Sequence, residues 1–335
     1  MTIPFNFSKV EIKDALRLAL QSAVSAALTF VILKYFNLPE VFVAVLSAVL
    51  VVEPSIGNTF IAAKGRVLAT IVGSAIGFIL LVVIPWGFGT ALSLAIAMFV
   101  LNGISSFKPT WRYGVVAAVA IALGSTNDAW DTSLDRIIAI GIGVAVGILV
   151  SFVVWPEKSE TRTKRHIKNA LRALYKRFEF AIDNTRSEEN EGSAHASKFH
   201  ESLSKAKQSV GSITFNDPKG FRNQINQIEK LYNSTLIINR VALNTKADVT
   251  DGDSGIEKNT EDLKLCALDL IKDLIDNECA SEEKLEEFKE QISKVKDNFK
   301  NSEDNRDLNL LRHAFVFGVL EIQDSLIGLN ESFSD

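Results

Sequence analysis

Six apolar stretches, at about 16–36, 41–52, 67–84, 88–101, 113–124 and 137–155, crowd the first half of the chain and leave few folds open to it. A bilayer core about 30 Å thick is crossed by roughly 20 apolar residues in a helix, which satisfies its own backbone polar groups. The first, third and sixth stretches have that length, whereas the second, fourth and fifth are short: Val41 to Val52 reaches only about 18 Å. Charge changes with hydropathy. Up to Pro156 there are 9 Lys/Arg and 7 Asp/Glu, and beyond it 27 and 33. The chain therefore reads as a transmembrane domain over 1–157 followed by a water-exposed domain over 158–335.

Within the first domain one pattern occurs twice. Arg66–Gly77 reads RVLATIVGSAIG, and Arg136–Gly147 reads RIIAIGIGVAVG. Shifting Val41–Trp86 by seventy residues lays it on Trp111–Pro156 without a gap, with ten identities in 46 positions. In each copy an arginine precedes two glycines by seven and eleven residues, steps that return to the same helix face. That face carries Gly73 and Gly77 in one copy and Gly143 and Gly147 in the other, the small residues by which membrane helices approach closely. Three spans per copy is an odd number, so the copies are expected in opposite orientations, as in many transporters. The fold class this predicts is an all-α membrane protein of six transmembrane segments in two inverted three-span repeats, plus a C-terminal cytoplasmic helical domain.

Loop charge orients the domain. Lys9, Lys13 and Arg17, then Lys64 and Arg66, then Lys108 and Arg112, then the run from Lys158 to Lys168 fall on one side, which the positive-inside rule makes cytoplasmic. Both termini are then cytoplasmic, and the protein is multi-pass in an inner or plasma membrane. The first apolar stretch is too long for a signal-peptide core and reads as a retained span.

After Pro156 the pattern becomes amphipathic. Ile167, Leu171, Leu174, Phe178 and Ile182 share a face, as do Leu263, Ala267, Leu270, Ile271 and Leu274; Leu285, Phe288, Ile292, Val295 and Phe299; and Leu308, Leu311, Phe315, Ile322, Leu326 and Leu329. Polar runs beginning at Arg186, Phe215, Thr245 and Lys300 divide five or six helices. The basic run beside the last span suits anionic lipid headgroups rather than nucleic acid. Cys266 and Cys279 read as reduced thiols, and four scattered histidines give no metal-ligand spacing. No phosphate-binding loop or catalytic triad context is found, so neither an enzyme nor a cofactor is expected.

The stretches EPSIGNTFIAAKGRVLATIVGSAIG from Glu53, WRYGVVAAVAIALG from Trp111 and LDRIIAIGIGVAVGILVSFVVWP from Leu134 resemble the fusaric acid resistance and aromatic acid exporter family, related to the plant aluminium-activated malate transporters. The resemblance implies efflux of organic anions, typically aromatic or small carboxylates. Many exporters of that family carry two such units in one chain, so a single unit implies a homodimer. In the malate branch basic residues line the anion path, and Arg66 and Arg136 are the matching positions.

A guanidinium is a permanently charged planar fork suited to a carboxylate. The alternative for both arginines is an anchor at a helix end paired with a local carboxylate, Asp135 being adjacent to Arg136. Ser55 and Asn58 in the first copy, with Ser125 and Asn127 in the second, are candidate substrate-binding groups or turn and cap residues. Glu53, between a short apolar segment and Pro54, is a candidate for proton coupling or a loop carboxylate. Trp111, Tyr113 and Trp130 are expected in interfacial belts. Three functions stay open: a proton-driven exporter of organic carboxylates, a passive organic-anion channel, and a non-transporting membrane scaffold with partner-binding cytoplasmic helices.

Overall fold

The first helix buries its polar side chains. In α1 (Lys9–Tyr35), Arg17, Gln21, Ser25, Thr29 and Leu33 recur every fourth residue and are all buried, while Ile12, Leu16, Leu20 and Val31 are exposed. A helix in water would do the reverse; this one matches an apolar solvent. The structure, a computed structural model, describes residues 9–84, 88–107, 109–122, 129–183, 189–214, 216–248, 254–300 and 306–334. Among them every regular element is helical, and the chain divides into units Met1–Ser159 and Glu160–Asp335.

The first unit continues with α2 (Val41–Val51), α3 (Ile56–Val83), α4 (Phe88–Phe107), a 3₁₀ turn (Pro109–Arg112), α5 (Tyr113–Ala122) and α6 (Ala129–Val153). Among the described residues four helices, α1, α3, α4 and α6, are long and apolar enough to cross a membrane. The 11 residues of α2 and 10 of α5 reach only about 16 and 15 Å. Four boundaries differ from the hydropathy reading by six residues or more. Helix α1 starts at Lys9 rather than 16, and α4 continues to Phe107 rather than ending at 101, which gives the fourth stretch, expected to be short, the length of a span. Helix α3 begins at Ile56 rather than 67, because Ser55 caps it by accepting from the Asn58 N–H at 3.4 Å, and Thr59 Oγ1 accepts from the Glu53 N–H at 3.0 Å. Helix α6 already runs at Ala129, eight residues before the apolar stretch. Polar first turns hid the starts of α3 and α6 from a hydropathy window.

Helix neighbours follow the seventy-residue shift. Helix α3 packs on α5 and α6 on α2; α1 touches α2 and α6, and α4 touches α5 and α3; α3 and α6 meet in the middle. With α4 standing for α1, each contact has a counterpart. The glycines show the same reciprocity. A Cβ added at Gly73 would lie 2.1 Å from the Gly114 oxygen, and one at Gly143 would lie 2.2 Å from the Ala44 oxygen. One at Gly77 would meet Ala118 at 3.0 Å, and one at Gly147 would meet the Ala48 oxygen at 2.8 Å. Gly114 and Ala118 are Ala44 and Ala48 shifted by seventy. The first copy's long helix thus rests on the second copy's short helix, and the reverse.

At one end of this unit three chain segments are tied together. Arg17 donates to the Pro54 oxygen at 2.8 Å and ion-pairs with Glu157, and Gln21 donates to the Val154 oxygen at 2.6 Å. The Ile56 N–H reaches the Glu157 oxygen at 3.1 Å, and Ser159 Oγ donates to Ser55 Oγ at 3.1 Å. The start of α1, the α2–α3 turn and the end of α6 are therefore held as one cluster.

The second unit is built on α7 (Ser159–Asp183), α8 (Glu189–Val210), α9 (Lys219–Asp248), α10 (Ser254–Asn277), α11 (Glu282–Lys300) and α12 (Arg306–Ser334). Its core contains the described members of the four apolar faces expected from the sequence, Leu285 and Leu311 partly buried at its edge, with Phe178, Phe199 and Phe288 fully buried. Helix α8 runs through part of the polar run that starts at Arg186. Phe199 fixes it there, stacked on Tyr232 with ring centroids 4.1 Å apart.

Candidate anion-binding site

The reciprocal packing sets both arginines inside their helices, against the start of a short helix. Arg66 lies ten residues into α3, about 15 Å along its axis and close to the middle of the span Ile56–Leu80. It is 5 % exposed, and its guanidinium stands over the Tyr113 ring, 4.4 Å from the centroid, at the first residue of α5. Its Nε and Nη1 are buried and meet no hydrogen-bonding protein group, and no carboxylate among the described residues pairs with it.

Arg136 occupies the corresponding place against α2. Its Nη2 donates to Glu40 Oε1 at 3.0 Å, with side chains 14 % and 23 % exposed. Glu40 is the N-cap residue of α2, with φ 60° in the left-handed region, and its side chain makes no cap hydrogen bond. The carboxylate serves Arg136 instead of the helix end. As in Arg66, Nε and Nη1 of Arg136 are buried without a hydrogen-bond partner. The two copies therefore share a cation position and differ in what faces it, an aromatic ring in one and a carboxylate in the other.

The remaining sequence candidates divide. Ser55 is buried but acts as the α3 cap and accepts from Ser159, while Asn58 contributes its backbone N–H to that cap and is half-buried. Glu53 is half-buried and follows the end of α2, its backbone tied to Thr59. Ser125 and Asn127 lie outside the described residues. Gly73, Gly77, Gly143 and Gly147 face the opposing short helix, on the same side as their arginine. Serine and threonine hydroxyls deepen the polar interior: Ser25 and Thr29 of α1 and Ser74 of α3 are buried without a hydrogen-bond partner.

Glu40 and Tyr113 were not among the sequence candidates. Glu40 is legible in retrospect as a lone acid just before a short apolar helix. Tyr113 is expected from the sequence in an interfacial belt, and in the structure its ring lies under Arg66. Only the three-dimensional pairing of α3 with α5 reveals that contact, because 47 residues separate the two.

A lipid-facing surface, a polar interior and a buried guanidinium together define a multi-pass helical membrane protein with a candidate anion site. Residues 26–150 match the family described as fusaric acid resistance protein-like, so the first unit carries that family's domain. The match runs from within α1 to near the end of α6 and includes no part of the second unit. No curated protein matches the chain.

Proposed function

We propose that this protein is a secondary transporter exporting aromatic or other small organic carboxylates across an inner or plasma membrane, rather than an enzyme. The observation that carries the reading is Arg66: a permanently charged guanidinium near the middle of a membrane span, 5 % exposed and without a paired carboxylate among the described residues. Burying such a charge costs several kcal/mol, which an arriving anion offsets.

In this reading the two copies are inverted repeats, α2 and α5 are short half-crossing segments of a six-segment domain, and the pathway runs along the arginine-bearing faces of α3 and α6. Reciprocal glycine contacts support the inversion, and Thr59 near the start of α3 lies 3.5 Å from Ser151 near the end of α6, as antiparallel helices require. Short segments at corresponding places in two repeats are the usual location of a transporter's binding site. Glu53, at the end of α2, is the proposed proton-coupling group. The second unit is proposed to be cytoplasmic, with both termini, and the working form to be a homodimer.

The test is flux of labelled benzoate in liposomes with and without an imposed pH gradient. Uphill flux in the wild type, lost in Arg66→Ala and uncoupled from the gradient in Glu53→Gln, is expected. Downhill flux indifferent to the gradient would make the protein a passive channel, and no flux under any condition would leave the scaffold reading.

A further inference from the structure

Two cations of the same origin sit in two different electrostatic situations. Both project from corresponding places on α3 and α6 against the start of a short helix, and both have buried Nε and Nη1 groups without a hydrogen-bond partner. Arg136 has a carboxylate 3.0 Å from Nη2, delivered by Glu40 from a left-handed backbone conformation at φ 60°. That conformation is unfavourable for a residue with a side chain, and Glu40 does not use it to cap α2. A residue held in that way, with its carboxylate spent on one arginine, is built to neutralise that arginine.

Arg66 is the more buried of the two, and among the described residues its guanidinium faces Tyr113, through the ring and a side-chain hydrogen bond, and no carboxylate. A cation–π contact offsets part of the desolvation of a guanidinium, and an ion pair offsets more. Continuing the seventy-residue shift by one position, the residue corresponding to Glu40 is Thr110, which carries no charge. The second copy thus lacks, beside Arg66, the carboxylate that the first copy supplies to Arg136 through Glu40.

We infer that Glu40 is a tethered carboxylate occupying at Arg136 the position that an organic carboxylate takes at Arg66, so that each chain binds one such anion, beside Arg66 and Tyr113, and not two. The ligand class rests on the transport reading above; the binding count does not depend on flux. Tyr113 favours aromatic carboxylates, whose ring has an aromatic neighbour when the carboxylate meets the guanidinium. Glu40 also keeps Arg136 from retaining the anion on the far side of the site, which shortens the sequence of binding steps to one.

The experiment counts labelled benzoate bound per chain by equilibrium dialysis of the full-length protein in nanodiscs. The wild type is expected to bind one. Arg66→Gln should bind none, and Thr110→Glu, which leaves Arg66 in place and supplies a tethered acid, should weaken binding at least tenfold. Glu40→Gln should bind two, and the double substitution Glu40→Gln with Arg136→Gln should return the count to one. The double variant also guards against misfolding, since a destabilised protein would not regain a single saturable site. Two benzoates on the wild type, one on Glu40→Gln, or a count unchanged by Arg66→Gln would overturn the inference. One benzoate bound at Arg66 with no flux would remove the transport reading and leave the inference standing. Flux with a count of one in Glu40→Gln would do the opposite.

Discussion

The two units are both built of helices and hold them together by opposite means. In the first, large apolar side chains such as Phe42, Phe99 and Phe107 point outward, and the closest helix contacts are between backbones, at Gly73–Gly114 and Gly143–Ala44. In the second, Phe178, Phe199 and Phe288 are fully buried and fill the core, while lysine–glutamate pairs lie on the surface. Lipid tails are as apolar as leucine, so burying a leucine between membrane helices gains little; close backbone approach gains dispersion contacts instead. In water the gain comes from removing apolar area from solvent. Charge follows the same division: in the first unit the pairs of Arg17 with Glu157 and Asp14 and of Arg136 with Glu40 are largely buried, and those of the second are substantially exposed.

If that contrast is correct, the largest effect comes from enlarging a contact in the first unit. Gly73→Leu places a side chain where even a Cβ would lie 2.1 Å from the Gly114 oxygen, and the three nearest atoms are all Gly114 backbone, which cannot yield as a flexible side chain would. The loss should exceed about 3 kcal/mol, read as early unfolding in a denaturant titration in micelles. In the second unit the comparable loss comes from making a residue smaller: Phe288→Ala should cost about 3–5 kcal/mol through the cavity left behind. A Gly73→Leu protein as stable as wild type would break the comparison at its strongest point.

Next comes the buried pair. Arg17 and Glu157 have side chains 6 % and 8 % exposed, and Arg17 also holds the Pro54 oxygen. Glu157→Gln leaves the buried guanidinium with the longer contact to Asp14, at 3.7 Å, in place of its close partner and should cost about 3 kcal/mol. Arg17→Met with Glu157→Leu, which removes both charges, should recover much of that. A double variant no better than the single would show that Arg17 acts through Pro54 and not through the charge pair.

What the sequence made legible, and what it hid, follows the same physics. Helix faces in the second unit are readable because water imposes a 3.6-residue alternation on them, and spacing alone puts Phe288, Ile292 and Val295 on one face, which is buried. The arginine–glycine frame was readable because close approach tolerates only small residues. Hidden were the polar stripe of α1 and the starts of α3 and α6. Hydropathy averages over a helix and cannot separate a polar inner face from a weak span, so Arg17 and Gln21 passed as orienting charge and background. Glu40 and Tyr113 were hidden more deeply, since their roles depend on which long helix lies against which short one.

Exposed pairs should matter much less. Glu278 accepts from Lys168 at 3.0 Å and Lys164 at 3.1 Å, and hydrogen bonding from Lys168, with Lys164 adding to it, holds its carboxyl below the ordinary glutamate range. A lowered folded-state pKa contributes stability that is present above the ordinary glutamate value and lost as pH falls through the lowered one. Solvent screens this half-exposed pair to under about 1 kcal/mol. Glu278→Gln should therefore flatten only slightly the acid limb of the stability profile of the full-length protein.

The smallest expected effect is the most discriminating, because it lies in the same helix as one of the largest. Gly141 and Gly143 are two residues apart in α6; a Cβ at Gly141 meets nothing within 4 Å, whereas one at Gly143 lies 2.2 Å from the Ala44 oxygen. Gly141→Ala should be neutral, or stabilising by up to about 1 kcal/mol from helix propensity. Gly143→Ala should destabilise and separate α6 from α2, with Gly103→Ala in α4 as a second open-space control. Equal losses at 141 and 143 in a micelle denaturation series would mean that these glycines supply backbone freedom to α6. Loss at 143 alone would tie the first unit's stability to the close approach of two backbones, the feature that the second unit lacks.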